Sequence, residues 1–132
     1  MPTRTPHLLR AILVTTGSEE QARSIARVLV GERLAACVNI IGPIRSVYRW
    51  RDAVEDEPEY LLLIKTRALL YAKVEKRVRE LHTYEVPKVL ALAIDRGSPP
   101  YVQWLLESTG SSIRAALKSR TRTNKPNRAR TR

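Results

Sequence analysis

Apolar residues follow two different spacings along this chain, and each change of spacing marks the boundary of a predicted element. Residues 9–15 are a mostly apolar, β-rich run, which is typical of a strand buried on both faces. From Ala22 onward the apolar residues recur three, four and seven positions apart, which predicts an amphipathic helix. Ser18 followed by Gln21 matches a capping box at the start of this helix, and Gly31 is expected near its end.

A long β-hairpin is predicted for the middle of the chain. Residues 36–41 and 44–50 are rich in β-forming residues, and a Gly-Pro pair separates the two runs. An Arg-Asp pair is expected to make the turn, after which residues 60–64 return as a buried strand. The acidic residues 55–59 lie on the approach to this strand. Carboxylates can attract a hard cation, but this stretch lacks the glycine and spacing of a calcium-binding loop, so we favour a solvated hairpin.

The second half of the chain continues with a helix, a strand and a further helix. Apolar residues between Leu70 and Leu81 recur at helical spacing, and residues 89–94 predict a last core strand. A turn at residues 96–98 leads into a short third helix, whose first turn suits its two prolines. The order strand, helix, two strands, helix, strand, helix contains a split βαβ repeat. The pattern therefore predicts an α+β fold of the ferredoxin-like type with a long β-hairpin and an additional C-terminal helix.

The composition is compatible with a single domain, because 132 residues is a typical domain length. Hydrophobic residues make up 43% of the chain and none of them is Phe, so the core must consist mainly of Leu, Ile, Val and Ala. A single Cys excludes an intramolecular disulfide bond and suits a reducing compartment. No apolar run approaches the roughly 20 residues that span a bilayer. We therefore expect a cytoplasmic protein with no membrane partner.

The net charge of +11 is concentrated at the C-terminal end. Residues 110–132 contain eight basic and no acidic residues, which leaves residues 1–109 with 16 basic and 13 acidic residues and a net charge of +3. This division predicts a folded domain over residues 1–109 and a disordered basic tail over residues 110–132. Such a tail can bind nucleic acid through counterion release, so nucleic acid is a candidate partner of the tail alone.

Five short segments form a series along the chain. They are, in order, Ala36-Cys37-Val38-Asn39, Tyr48-Arg49-Trp50, Ile64-Lys65-Thr66, His82-Thr83-Tyr84-Glu85-Val86-Pro87 and Tyr101-Val102-Gln103-Trp104. In this order and at these separations they resemble the CutA divalent-cation-tolerance family, over residues 9–109. The resemblance implies a homotrimer in which the long hairpins of neighbouring subunits extend and cap each other's sheets. It also implies a role in divalent metal tolerance, including tolerance of copper.

Three residues are candidate metal ligands. His82 carries the side chain that most often binds metals, although it could instead cap the second helix. Cys37 could bind a metal or pack as a small apolar residue, and Glu85 could complete a weak, partly hydrated site. The resemblance implies copper ligands at three positions, which in this chain are Thr15, Leu81 and His82. We therefore expect no required cofactor and only a weakly bound divalent metal ion such as copper.

A further set of polar and aromatic residues comes from the same segments and is expected at an interface or a cleft between subunits. Its members are Tyr48, Trp50, Lys65, Tyr84, Glu85, Tyr101 and Trp104. Trp and Tyr bury a large area while keeping a polar group, so one interpretation is subunit packing, with Lys65 paired to Glu85. The other is a cleft that binds a small ligand, as in the PII signalling proteins, which are similar in fold.

No segment matches a phosphate-binding loop, a nucleophile elbow or a paired Cys-x-x-Cys motif. The residues therefore give no indication of catalysis, and we expect a protein that is not an enzyme. The leading hypothesis is a trimeric CutA-like protein for divalent metal tolerance and ion binding. One alternative is a PII-like signalling or scaffold trimer that binds ligands in intersubunit clefts. The other is a protein that binds anionic polymers through its tail.

Overall fold

The structure, a computed structural model, describes residues 2–110. In chain order its elements are β1 (Thr3–Arg4), β2 (Leu9–Thr16), α1 (Glu19–Gly31), β3 (Cys37–Trp50), β4 (Ala53–Arg67), a 3₁₀ turn (Ala68–Leu70), α2 (Tyr71–Leu81), β5 (Leu90–Ala93), β6 (Arg96–Gly97) and α3 (Pro99–Glu107). Both long helices lie where the apolar spacing predicts them.

Four of these strands form one antiparallel sheet in the order β3–β4–β2–β5. β2 pairs with β4 on one side and with β5 on the other, so that Leu13 lies opposite both Leu63 and Leu90. The two strands that flank the hairpin in the chain, β2 and β5, are thus neighbours in the sheet. This arrangement is the split βαβ topology, and the predicted α+β, ferredoxin-like class is confirmed.

α1 and α2 pack on one face of this sheet and enclose the main core. The larger core side chains with no more than 1% exposure are Ile12, Val14, Ile25, Leu29, Leu62, Ile64, Val74 and Val78. The predicted cap of α1 is present, because the Gln21 backbone N–H donates to the Ser18 hydroxyl oxygen at 3.1 Å. Burying one large aliphatic side chain contributes about 1.5–3 kcal/mol, so this core is the main source of stability.

The opposite face of the sheet, called the open face below, carries apolar side chains that remain partly exposed. Leu13, Leu63 and Leu90 form one row across it, and Leu90 and Leu92 are each 55% exposed. The strand predicted over residues 89–94 is present as Leu90–Ala93, but the prediction that it is a core strand is wrong for these four residues, which are exposed. β5 is shorter and lies at the edge of the sheet, where one side has no neighbouring strand among the described residues. An apolar run predicts a strand, but it does not show whether another element packs against that strand.

The hairpin is one continuous pair of strands and not three separate runs. β3 and β4 pair from Cys37 opposite Lys65 to Trp50 opposite Ala53, with a register shift at the Gly-Pro pair. Gly42 is required at this shift, because a Cβ atom there would lie 2.6 Å from a ring carbon of Tyr60. The predicted Arg-Asp turn is present, with a positive φ of 51° at its Arg and 66° at its Asp. A two-residue turn of this type matches the twist of the strands it joins.

The predicted turn at residues 96–98 is wrong in part, because Arg96–Gly97 is a short strand. It pairs with Thr3–Arg4 in a separate two-stranded sheet. The helix that follows, α3, has its prolines in the first turn, as predicted, and packs Val102 and Leu105 against Leu9. Pairing with the N-terminal segment, which is distant in the chain, is needed to form β6, and the local residues give no sign of it.

Two arginines hold the end of α3. The Arg33 guanidinium donates to the Glu107 carbonyl at 2.6 Å and to the Gly110 carbonyl at 2.7 Å. Arg67 donates to the Thr109 hydroxyl oxygen at 2.8 Å and to the Leu106 carbonyl oxygen. The last carbonyls of a helix have no partner within the helix, so these contacts satisfy them and fix the path of the chain up to Gly110.

The predicted basic tail over residues 110–132 lies, from residue 111 onward, outside the described residues, and the boundary between domain and tail stays a prediction. Among residues 2–110, no helix has the length and apolar character required to cross a membrane.

Truncating Leu62 to Ala should lower the free energy of unfolding by about 2–5 kcal/mol, because the side chain is fully buried beneath the helices. The matched control is Leu69→Ala, since Leu69 is 89% exposed, and it should change the stability by no more than about 0.5 kcal/mol. Chemical denaturation followed by circular dichroism measures both. Equal losses in the two variants would contradict the assignment of the core.

Candidate functional site

A groove of about 750 Å³ lies between the hairpin, the end of β2 and the segment that follows α2. Its lining combines both signs of charge with aromatic rings. The carboxylates are Glu57, Glu59 and Glu85, the cations are Arg45 and Lys88, and the aromatic residues are Tyr48, Trp50 and Tyr84. The concave shape and mixed lining make this groove the principal candidate site among the described residues.

Tyr84 and Glu59 form a partly buried polar contact in the groove. The Tyr84 phenol donates to the Glu59 carboxylate at 2.8 Å, and Glu59 is only 6% exposed. The phenol also lies close to Gly17, where a Cβ atom would come within 3.0 Å of its oxygen. Burial, together with the Glu59 carboxylate, raises the pKa of the Tyr84 phenol well above its ordinary value. Tyr84 is therefore a protonated hydrogen-bond donor at neutral pH.

The interpretation of the acidic stretch as entirely solvated is wrong at Glu59. β4 begins at Ala53, so this stretch belongs to a strand in which alternate side chains point to opposite faces. Glu57 remains exposed and accepts a hydrogen bond from Tyr48 at 3.2 Å. Glu59 was not predicted as a site residue. Extending the predicted strand back through the acidic residues would have placed it on the same face of the strand as Glu57, two positions away.

His82 is buried, with 8% exposure, and both of its ring nitrogens have partners within the protein. Its Nε2 atom lies 2.7 Å from the Thr15 carbonyl oxygen. Its Nδ1 atom accepts the Tyr84 backbone N–H at 3.0 Å. The side chain therefore does not cap α2, whose last turn is closed by the backbone N–H of His82 bonding to Val78.

Cys37 lies on the open face and not among the core residues beneath the helices. It is half-buried, and the strand register places it opposite Lys65. Lys65 donates to the Asn39 side-chain oxygen, which also lies 3.8 Å from the Cys37 sulfur. No basic residue is adjacent to Cys37 in sequence, so only the pairing of the strands brings the ammonium group near the thiol.

The pairing of Lys65 with Glu85 does not occur within one chain, and a pairing between subunits stays a prediction. Lys65 bonds to Asn39 on the open face, whereas Glu85 accepts from Arg51 at 2.7 Å beside the groove. Arg51 also lies 5.1 Å from the centre of the Trp50 ring. The two residues belong to different faces of the molecule, and spacing along the chain could not reveal this.

The remaining interface candidates fall into two groups. Tyr48, Trp50 and Tyr84 line the groove with Glu85, and the first two are each 39% exposed. Tyr101 and Trp104 lie instead on α3, with their ring centres 5.3 Å apart, and pack against the second apolar cluster around Leu9. The seven candidates therefore do not form one cleft within a single chain.

The three candidate metal ligands do not converge within residues 2–110. Cys37 lies on the open face, Glu85 is paired with Arg51, and both nitrogens of His82 are hydrogen-bonded. No group of three or more His, Cys, Asp or Glu side chains in this part of the chain is arranged to hold a metal ion. The residues therefore do not fit a copper chelate within one subunit, and metal binding stays a prediction.

Known sequences resemble this chain over most of its length. Residues 10–108 match the family described as CutA1 divalent ion tolerance protein. The chain is 50% identical over 99 residues to the divalent-cation tolerance protein CutA of Thermus thermophilus, covering 75% of this chain and 96% of that protein. It is 42% identical over 106 residues to protein CutA of Mus musculus, covering 80% of this chain and 60% of the longer mouse protein.

Solved structures share the fold. The structure of the divalent cation tolerance protein from Thermus thermophilus has a TM-score of 0.75 at 48% identity, covering 77% of this chain and 99% of that one. The crystal structure of CutA1 from Oryza sativa has a TM-score of 0.77 at 40% identity, covering 80% and 96% respectively. The likeness therefore covers more than three-quarters of this chain and almost the whole of each solved structure.

Tyr84 should remain protonated at a pH where a tyrosine with an ordinary pKa has begun to ionise. Because the pKa of its phenol is raised in the folded state, its protonated form adds stability that is lost as the pH rises above the ordinary value of about 10. Tyrosinate absorbance of the wild type and of Tyr84→Phe should coincide at a pH of about 10.5 in the folded state. In denaturant the absorbance of the two proteins should differ by the contribution of one ionising tyrosine. If the folded proteins differ in tyrosinate absorbance as much as the denatured ones do, Tyr84 ionises normally and the prediction is refuted.

Proposed function

The chain belongs to the CutA1 divalent ion tolerance protein family, and on that premise we propose that it acts in divalent cation tolerance as a homotrimer that binds a divalent ion weakly in its groove. The observation that carries the ion-binding part is the groove itself, whose lining includes three carboxylates and neither His nor Cys. Within residues 2–110 no three such side chains are arranged to chelate an ion, so a cation attracted to the groove would keep most of its bound water.

Assembly is supported by the apolar surface that a single chain leaves exposed. The open face presents Leu90 and Leu92, and the hairpin presents Val47, Val54 and Trp50, all with at least 39% exposure. Large apolar side chains exposed in this number are typical of a protein interface. The outer sides of β3 and β5 also carry backbone groups at the sheet edge, which neighbouring subunits can pair or cover. Three subunits are the number that the family resemblance implies.

The chemistry of the groove favours weak binding of a hard cation. Carboxylate oxygens are donors that such ions prefer, and water can complete the coordination. Arg51 already neutralises Glu85, and Tyr84 already occupies one oxygen of Glu59, so the donors are only partly available. Copper ions prefer imidazole nitrogen and sulfur donors, and the described lining of the groove contains no His, Cys or Met. We therefore expect affinities of about micromolar or weaker, with little selectivity for copper.

A small polar ligand is the second candidate occupant of the groove. Its volume of about 750 Å³ is within the range of small-molecule sites, and its lining offers charges of both signs beside aromatic rings. This is the hypothesis of a PII-like sensor or scaffold. In either case the unpaired Cys37 suits a reducing compartment, and the cytoplasm is the location we propose.

Replacing Leu92 by Glu should dissociate the trimer, because it introduces a charge into the apolar open face. The matched control is Leu69→Glu, which alters a leucine with 89% exposure and should leave the assembly intact. Light scattering coupled to size-exclusion chromatography measures the mass of each protein at micromolar concentration. A wild type that elutes with the mass of a monomer would refute the proposed assembly.

Calorimetric titration with Cu²⁺, Zn²⁺ and Mg²⁺ tests the ion site. Wild-type affinities should be about micromolar or weaker, and the double variant Glu57→Gln, Glu85→Gln should weaken them at least about five-fold. Glu20→Gln removes a carboxylate outside the groove and serves as the control. Nanomolar copper binding by the wild type would contradict a weak oxygen-donor site, and unchanged binding in the double variant would exclude this groove.

A further inference from the structure

We propose that His82 is a positioning residue that holds one wall of the groove in place, and that it is not a metal ligand in the folded protein. The proposal deepens the role of the groove, but its geometric part does not depend on what the groove binds. It rests on one continuous series of hydrogen bonds, in which His82 joins the end of β2 to the segment after α2 and Tyr84 joins that segment to β4.

The hydrogen bonds determine which ring nitrogen carries the proton. The Tyr84 backbone N–H donates to Nδ1, so Nδ1 must offer its lone pair. Nε2 faces the Thr15 carbonyl oxygen, which can only accept, so Nε2 must carry the hydrogen. His82 is therefore the neutral Nε2–H tautomer, with its one lone pair already used.

A metal ion at either nitrogen would have to break this arrangement. At Nδ1 the ion would displace the Tyr84 N–H and leave a partly buried donor unsatisfied. At Nε2 the hydrogen would have to move to Nδ1, where it would face the Tyr84 N–H donor, and the bond to Thr15 would be lost. Both routes oppose metal binding, because each one breaks a hydrogen bond that His82 now makes within the protein.

The surroundings of His82 support the same role. Gln21, which closes the start of α1, accepts from the Thr83 hydroxyl at 3.0 Å and from the Thr83 N–H at 3.4 Å. The His82 and Tyr84 rings lie 4.6 Å apart, and the lack of a side chain at Gly17 lets the Tyr84 phenol approach the turn before α1. The segment is thus fixed from two sides, and the Tyr84 phenol is directed at the Glu59 carboxylate.

Three substitutions in the full-length protein separate a positioning role from ligation. His82→Ala removes both ring bonds and should reduce the exchange protection of the Tyr84 amide at least about ten-fold, measured by NMR. His82→Asn can place its side-chain oxygen where Nδ1 accepts, so it should recover most of that protection. The control is His7→Ala, which removes the other, exposed histidine of the chain and should leave the Tyr84 amide unchanged.

The wild type provides a test that needs no substitution. Long-range ¹H–¹⁵N correlation should show the Nε2–H tautomer of His82, and one equivalent of diamagnetic Zn²⁺ should leave both ring nitrogen shifts unchanged. Copper affinity by calorimetry should stay within about three-fold of wild type in His82→Asn. A Zn²⁺-induced shift of a His82 nitrogen, the other tautomer, or loss of copper binding in His82→Asn with intact Tyr84 protection would overturn the proposal. Unchanged protection in His82→Ala would overturn it as well.

These outcomes are distinct from failure of the proposed ion site. A wild type that binds no divalent ion would refute ion binding in the groove. The tautomer of His82 and the exchange of the Tyr84 amide would still decide whether His82 holds the groove wall. If His82→Ala does not fold, the wild-type spectra and the His82→Asn variant still test whether His82 is a positioning residue.

Discussion

The pairing of β4 with β2 and β3 is the constraint on which the rest of this structure depends. β4 is 15 residues long, and only its C-terminal half lies beneath the helices. Strict alternation along this half directs Leu62 and Ile64 into the core and Leu61, Leu63 and Lys65 to the open face. A slip of one residue would reverse the two sets. The same register carries the acidic half of β4 beyond the core as one wall of the groove.

The groove is polar, yet its buried atoms have partners within the chain. Within residues 2–110, no buried side-chain nitrogen or oxygen lacks a hydrogen-bond partner. Glu59 is bonded to Tyr84, and both ring nitrogens of His82 are engaged. Leaving such a group unpaired costs about 1–3 kcal/mol, so ligands compete with existing bonds. This competition is the physical reason to expect weak and unselective ion binding from a single subunit.

The open face and the hairpin differ from the groove, because the side chains that they expose to water are apolar. Their leucines, valines and Trp50 remain exposed in one chain, although the core beneath the helices is closed. Burying such side chains contributes about 25 cal/mol for each Å² removed from water. This exposed apolar surface is the physical basis of the proposed association of subunits.

The residues by themselves determined the local elements and the class of the fold. The helical spacing from Ala22 and the Ser18 cap predicted α1, and the order of elements predicted the split βαβ arrangement. These features depend on residues that are close in sequence, so local propensity and periodicity suffice to identify them. The series of short motifs likewise predicted the family.

Only the tertiary structure decided which polar groups meet. Lys65 bonds to Asn39 across two strands, Glu85 pairs with Arg51 at the hairpin turn, and His82 bonds to Thr15, 67 residues away in the chain. The exposure of β5 and the burial of Glu59 also follow from which faces are covered. These contacts depend on strand register and on helix placement, and neither is encoded in the spacing of neighbouring residues. His82, which the sequence suggests as a metal ligand, thus has both ring nitrogens engaged in hydrogen bonds in the folded chain.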